Sequence, residues 1–455
     1  MNVSDPKDLV SQTFDRSQYG EYKDPKIEWL GSIPKHWSTT KLKFISDIEV
    51  GNSPKSKYYN KEGDGPPFLQ GNAEFGDRHP NPERFCSEPD KIADNGDLLL
   101  SVRAPVGEIN TADRRYGIGR GLCRITPNSK SLDHDYAYYS LIAVRKQLNP
   151  LSSGSTFDSV SRRDVAGMRI VLPSLPEQRT IATYLDRETG RIDALIEKKE
   201  QLIDLLEEKR TALISRVVTK GLDEEVEMQD SGVEWLGEIP AHWGTAKLKF
   251  LSHSLQTGPF GSQLHSDEYI TGGTPVINPS HLVGGQIEPE EGVTVDADTK
   301  QRIARHELSV GDLVFARRGE LGRCAMVTED EEGWLCGTGS IRLRPDQEKV
   351  DPVYLNWICS TRGVAEQFDL KSVGSTMNNL NTDILGALTI SLPPLHEQRR
   401  IAHHLRKQTS KIDTLTDTVQ SGVEQLRGYR TALISAAVTG QIDIREEVDT
   451  LATAA

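Results

Sequence analysis

Residues 172–221 read LPSLPEQRTIATYLDRETGRIDALIEKKEQLIDLLEEKRTALISRVVTKG. Prolines and Glu177 in the opening turn, basic residues near the end and Gly221 after it are the start and stop signals of one long helix. At ~1.5 Å per residue, about 40 residues make a rod of roughly 60 Å, far longer than an ordinary globular helix. Such a rod needs a partner to cover its apolar stripe. The chain supplies one, because residues 392–440 repeat the pattern. Between 173–193 and 393–413 eleven of 21 positions are identical, including Glu177-Gln178-Arg179 and Glu397-Gln398-Arg399, and the run Arg210 to Ser215 returns unchanged at 430–435. In the second copy Ile412, Val419, Leu426 and Leu433 recur every seven residues, with Leu415 and Tyr429 at the complementary heptad position. The matching seam of the first copy is Ile192, Leu195, Leu202, Leu206 and Leu213, with Lys199 and Lys209 intruding. This spacing predicts a coiled coil, flawed at Gly422, in which the two helices pack on each other.

Working outward, IEWLGSIPKHWSTTKLKFIS at 27–46 reappears as VEWLGEIPAHWGTAKLKFLS at 233–252, with 14 of 20 positions identical. The repeat offset is 206 here and 220 at the long helices, so the second unit has gained 14 residues in between. A period this large marks a duplicated domain plus helix rather than a solenoid, and 455 residues exceed what one core usually serves. The expected divisions are an arm at 1–25, a first domain at 26–175, a helix at 176–221, a linker at 222–232, a second domain at 233–395, a second helix at 396–440 and a tail at 441–455. Trp29, Trp37, Trp235 and Trp243 flank Ile-Pro turns, and the cluster reads as a packed corner more readily than as a base-stacking platform. Short apolar runs after Gly-Asp turns at Gly96 and Gly311, with helical periodicity at 135–148 and 352–368, predict an α+β chain with two similar mixed domains.

Net charge is −13, the wrong sign for a nucleic-acid binder unless basic residues are local. Residues 26–175 hold 21 Lys and Arg against 18 Asp and Glu, whereas residues 233–395 hold 13 against 22. No run of 18 apolar residues exists and residues 1–20 lack an apolar signal core, so no membrane association is expected. Five cysteines form no C-x-x-C pair, which suits a reduced, cytoplasmic setting and argues against a metal site. P-loop, dinucleotide-fold, H-E-x-x-H and G-x-S-x-G signatures are all absent, predicting a chain with no catalytic residues.

What remains are turn-rich loops at similar places in both halves. The first offers Asn52, Ser53, Lys55, Lys57 and Tyr58, then Arg103, Arg114, Arg115 and Arg120, then Ser155 and Thr156 in a Gly-Ser-Thr turn. The second offers Phe260, Ser262 and Gln263, then Arg317 and Arg318, with Arg342 and Arg344 further on, then Ser375, Thr376, Asn378 and Asn379. Lys and Arg suit phosphates, whereas Asn, Ser and Tyr reach base edges.

With its ordered motifs (WLG-x-IP-x-HW, the run 101–109, Gly119-Arg-Gly121, Gly258-Pro-Phe-Gly-Ser262, Gly-Ser-Thr and LP-x-L-x-EQR), the chain resembles the specificity subunit of a Type I restriction–modification system over nearly its whole length. The resemblance implies two target-recognition domains separated by two long helices paired antiparallel with pseudo-twofold symmetry. Each domain is then expected to read one half of a split, asymmetric double-stranded DNA target, and the helices to set the gap. It further implies docking of two methyltransferase subunits and of restriction subunits, which would bind S-adenosylmethionine, ATP and Mg. Other fits are a specificity chain of a Type IIB-like fused methyltransferase–nuclease, or a coiled-coil scaffold with two carbohydrate- or peptide-binding domains.

Overall fold

The structure, a computed structural model, describes residues 18–27, 29–148, 159–319, 321–372 and 380–445. It divides into two compact units, Met1–Glu200 with Gln420–Ala455, and Gln201–Val419. The division falls inside the long helices, so each unit holds a segment of both.

In the first unit an antiparallel sheet runs in the order Ile109–Thr111, Leu98–Ser101, Leu122–Pro127, Ser46–Val50. Side chains alternate across a strand, which explains the unbroken leucine run. Leu98 and Leu100 enter the large core with Tyr136, Tyr139 and Leu185, while Leu99 joins Leu69, Tyr116 and Ile118 on the other face. That face is covered by a small sheet of Phe68–Leu69, Tyr116–Ile118 and Ile92–Ala93. A ladder between Ser38–Lys41 and Arg169–Leu172 leads into the first long helix.

The second unit repeats the plan with Ser252–Thr257, Ser340–Pro345, Leu313–Ala316 and Cys324–Met326 as neighbours in that order. Leu313 and Phe315 face Tyr354, Phe368 and Leu405, and Val314 and Ala316 face Ile277 and Cys336. Its small sheet is centred on Thr274–Ile277, whereas the strand at the centre in the first unit is Tyr116–Ile118.

The long helices are Leu175–Lys220 and Leu395–Thr439, 46 and 45 residues. Each ends on a glycine in the left-handed region, Gly221 at φ 76° and Gly440 at φ 71°. In the first unit Asp193 meets Arg430 at 2.8 Å and Glu200 meets Arg427 at 2.7 Å. Rising numbers on one helix face falling numbers on the other, so the pairing is antiparallel. In the second unit Arg210 meets Asp413 at 2.9 Å, the same pair one repeat away.

The seam differs from the expected one by a single residue. Leu195, Leu202 and Leu415 are 44%, 41% and 47% exposed, not inside. Ile192, Leu206, Val419 and Leu433 are buried, Leu213, Ile412, Leu426 and Tyr429 half-buried. Their seam companions are Ile196, Ile203, Thr409, Thr416 and Val423, four residues after the heptad positions rather than three. In the first helix both spacings are apolar, Leu195 beside Ile196 and Leu202 beside Ile203, and the partner helix decides between them. Lys199 is accommodated because its ammonium lies over Gly422, where a Cβ would stand 3.2 Å from Nζ. Two of the seam's three irregular residues, Lys199 and Gly422, therefore compensate each other, and the third, Lys209, is exposed.

The repeated Glu-Gln-Arg ties each domain to its helix. Glu177 Oε1 accepts from the Trp37 indole at 3.1 Å and lies 2.7 Å from His36 Nε2, and its Oε2 accepts from the Ser174 amide and hydroxyl at 3.1 and 2.7 Å. Partial burial alone pushes this carboxyl up, but the hydrogen bonds outweigh it and hold its pKa at about 2. Glu397 repeats the bonds to Trp243 at 3.0 Å and His242 at 2.8 Å, with Pro394 where Ser174 stands. Gln178, wholly buried, accepts from the Asp133 amide at 2.8 Å and donates to the Ser131 and Pro173 carbonyls. Gln398 does the same with Asp351, Lys349 and Pro393. Arg179 and Arg399 pair with those aspartates, which also cap His134–Val144 and Pro352–Cys359. Trp37 and Trp243 are buried, and the Trp235 indole donates to the Thr389 carbonyl, so these three tryptophans are packing residues.

Candidate nucleic-acid interface

In the first unit three strand ends share one rim. Ser46–Val50 and Leu98–Ser101 finish there and Leu122–Pro127 begins there, because neighbouring strands are antiparallel. The main chain is too close for side chains, since a Cβ on Gly51 would collide with the Gly119 and Ile118 carbonyl oxygens. The Gly51 amide donates to Leu122 at 2.9 Å, Gly119 to Leu69 at 2.7 Å, and Val102 to Gly121 at 2.9 Å. These bonds bring Asn52, Ser53, Arg103 and Arg120 onto one edge. Ser53 Oγ accepts from Gln70 Nε2 at 2.9 Å and from the Arg120 amide at 3.4 Å. Asn52 donates to Asp90 at 2.7 Å. Lys57 lies over the Tyr58 ring at 4.6 Å. Lys55, Lys57, Arg103 and Arg120 are exposed and form no ion pair among the described residues, leaving four cations for phosphates or bases.

Arg114 and Arg115 lie elsewhere, at the opposite end of Tyr116–Ile118 from Arg120. The Tyr116 hydroxyl donates to Asp113 at 2.5 Å, a bond that holds this carboxyl below its usual range, and Arg114 Nε donates to the same hydroxyl at 3.2 Å. Arg115 sits 3.5 Å from Asp94.

The second rim has the same main-chain construction. The Gly258 amide donates to Ser340 at 3.0 Å, Gly337 to Ile277 at 2.9 Å, and Arg317 to Gly339 at 2.9 Å, and a Cβ on Gly258 would collide with the Gly337 carbonyl. Arg318, exposed, thus takes the place of Arg103. Arg317, expected to be a DNA contact, is turned inward instead. It is 8% exposed, donates from Nε to the Leu380 carbonyl at 3.1 Å and lies over the Phe260 ring at 5.0 Å, with burial and then the Arg318 charge lowering its pKa. The Gln263 side chain accepts from the Phe260 amide at 3.3 Å, so its oxygen serves the loop, and Ser262 lies in the turn Gly261–Gln263. Arg342 and Arg344 are likewise occupied. Arg342 donates to the Glu307 carbonyl at 2.7 Å and to Gln256, and Arg344 grips buried Asp312 at 2.9 and 2.7 Å. Ser155, Thr156, Ser375, Thr376, Asn378 and Asn379 lie outside the described residues.

Sequence reasoning missed Gln70 and, at the matching places of the second rim, Asn278, which follows Ile277 as Gln70 follows Leu69, and Thr338, which follows Gly337 as Arg120 follows Gly119. The signal for the first two was an apolar pair ended by an amide, Phe68-Leu69-Gln70 and Val276-Ile277-Asn278. No group of three metal-ligating side chains occurs among the described residues, and no described helix is long and apolar enough to cross a membrane.

A mixed domain is thus built twice, each copy with a glycine-packed rim and each packed with segments of two antiparallel helices. Residues 34–205 and 242–425 both match the family model for the Type I restriction modification DNA specificity domain. A chain described as the specificity subunit of the MjaX type I restriction enzyme of Methanocaldococcus jannaschii is 37% identical over 216 residues, 47% of this chain and 49% of that one. The MjaIX specificity subunit of the same organism is 29% identical over 447 residues, 94% and 97% of the two chains. A solved structure concerned with complex assembly and conformational transition of the type I R-M system has the same fold, with a TM-score of 0.69 at 17% identity over 89% of this chain and 98% of that one. The chain belongs to the Type I restriction–modification DNA specificity family.

Proposed function

We propose that this chain reads a bipartite, asymmetric duplex target, one half-site per domain, and is itself without catalytic residues. The observation that carries this is the rim built twice on the same main-chain bonds but dressed with different side chains. Two similar heads then meet two half-sites of unlike sequence. In this reading two methyltransferase subunits dock on the chain and restriction subunits join them, with S-adenosylmethionine, ATP and Mg held by those partners. The acidic balance of residues 233–395 supports dependence on such partners for tight binding. The test is methylome sequencing of cells carrying the chain with its methyltransferase. The expected motif has two unlike halves and a gap, with Arg103→Ala relaxing one half and Arg318→Ala the other. An unsplit motif, or both variants altering the same half, refutes it.

A further inference from the structure

The two rims share a backbone but not a surface chemistry. By the matching amide bonds, Phe260 occupies the position that Ser53 holds in the first unit, and Thr338 that of Arg120. Ser53 is turned onto Gln70 and the Arg120 amide, so the first rim presents a guanidinium at this point. The second presents an aromatic ring and a threonine.

Phe260 is 50% exposed, yet it is not loose. Its ring rests on the Arg317 guanidinium at 5.0 Å, and that arginine is anchored on the Leu380 carbonyl. Its amide is held by the Gln263 side chain, and its carbonyl accepts from the Gln263 amide at 2.8 Å. An apolar ring fixed in water on a recognition edge is pre-organised for contact. The apolar feature of the major groove is the thymine C5-methyl, and phenylalanine and the threonine methyl are side chains that match it, whereas arginine matches guanine.

We propose that the second domain reads an A·T pair through the thymine C5-methyl, with Phe260 as the contact and Thr338 on the same rim. This rests on the DNA-reading role proposed above. The test uses the chain assembled with its methyltransferase partner and target duplexes in which each thymine in turn is replaced by deoxyuridine, which removes only the methyl. One thymine in the half-site relaxed by Arg318→Ala is expected to weaken binding roughly fourfold when replaced, the equivalent of one methyl leaving an apolar contact. Phe260→Ala abolishes that response, while Phe260→Leu, which keeps an apolar side chain, retains it. A wild-type complex that prefers its target but responds to no uridine in that half-site overturns the proposal, as does Phe260→Ala with an unchanged response. A wild-type complex with no sequence preference overturns the DNA-reading role instead.

Discussion

Glu177→Gln isolates the clasp between the Trp37 corner and the first long helix. In the folded chain the carboxyl titrates at about 2 against an ordinary 4.5. At about 1.4 kcal/mol per pKa unit this corresponds to roughly 3 kcal/mol, and we discount it to about 2 kcal/mol because the side chain keeps some exposure to screening solvent. The sign follows from the depressed folded value. The contribution is complete above about pH 4.5 and fades as pH falls toward 2. Urea unfolding of the full chain, followed by tryptophan emission, is expected to show the variant about 2 kcal/mol less stable at pH 7, with less than half of that gap left at pH 3. Glu397→Gln produces a smaller loss, since Pro394 supplies neither of the bonds that Ser174 gives. Equal stability of wild type and Glu177→Gln at pH 7 would refute the clasp. So would a gap that stays constant down to pH 3, which would indicate altered packing rather than lost charge.

The seam register predicts opposite outcomes for neighbouring leucines: Leu206→Ala, 7% exposed in the wild type, loses about 2 kcal/mol or more, whereas Leu205→Ala, 60% exposed, stays within about 0.5 kcal/mol. Matching losses in thermal unfolding would put the seam elsewhere. Gln398→Ala strips three hydrogen bonds from a buried amide and leaves the Asp351 amide and two carbonyls unmet, so about 2–3 kcal/mol of stability is expected to go; an unchanged melting temperature contradicts this. Arg344→Ala lowers stability by about 2 kcal/mol because Asp312 is left buried and under-paired, while Arg318→Ala unfolds no more easily than wild type but weakens DNA binding by the assembled complex. Loss of DNA binding from Arg344→Ala without loss of stability would restore it as a DNA contact.

The parts legible in the sequence were those carried by local pattern. The helices show in their length, caps and repetition, and the corner shows because Trp37, His36 and Pro34 recur at one spacing with Trp243, His242 and Pro240. The seam was misplaced by one residue because Leu195 and Ile196, or Leu202 and Ile203, offer adjacent apolar choices, and only the facing helix selects between them. The rim was legible only in pieces. Gly51, Gln70, Arg103 and Arg120 come from four separated segments joined by main-chain bonds that leave no mark on side-chain identity. Arg317, Arg342 and Arg344 misled for the converse reason. A strand-end arginine looks the same in sequence whether it faces a phosphate or reaches back to Asp312.

The duplication also separates two kinds of position. Gln178 and Gln398, which tie each domain to its helix, are the same in both units, each accepting from one amide and donating to two carbonyls, whereas Ser174 gives way to Pro394. Residues of the rims differ, with Phe260 at the position of Ser53 and Thr338 at that of Arg120. They are free to differ because the main-chain bonds packed through glycine recur in both units whichever side chains stand there. A substitution at Phe260 or Arg120 therefore alters what is presented to a duplex at little cost in stability, whereas one at Gln178 strikes the fold. Under the proposed DNA-reading role, rim positions decoupled from the main-chain bonds that maintain the architecture allow one scaffold to carry two different specificities in a single chain.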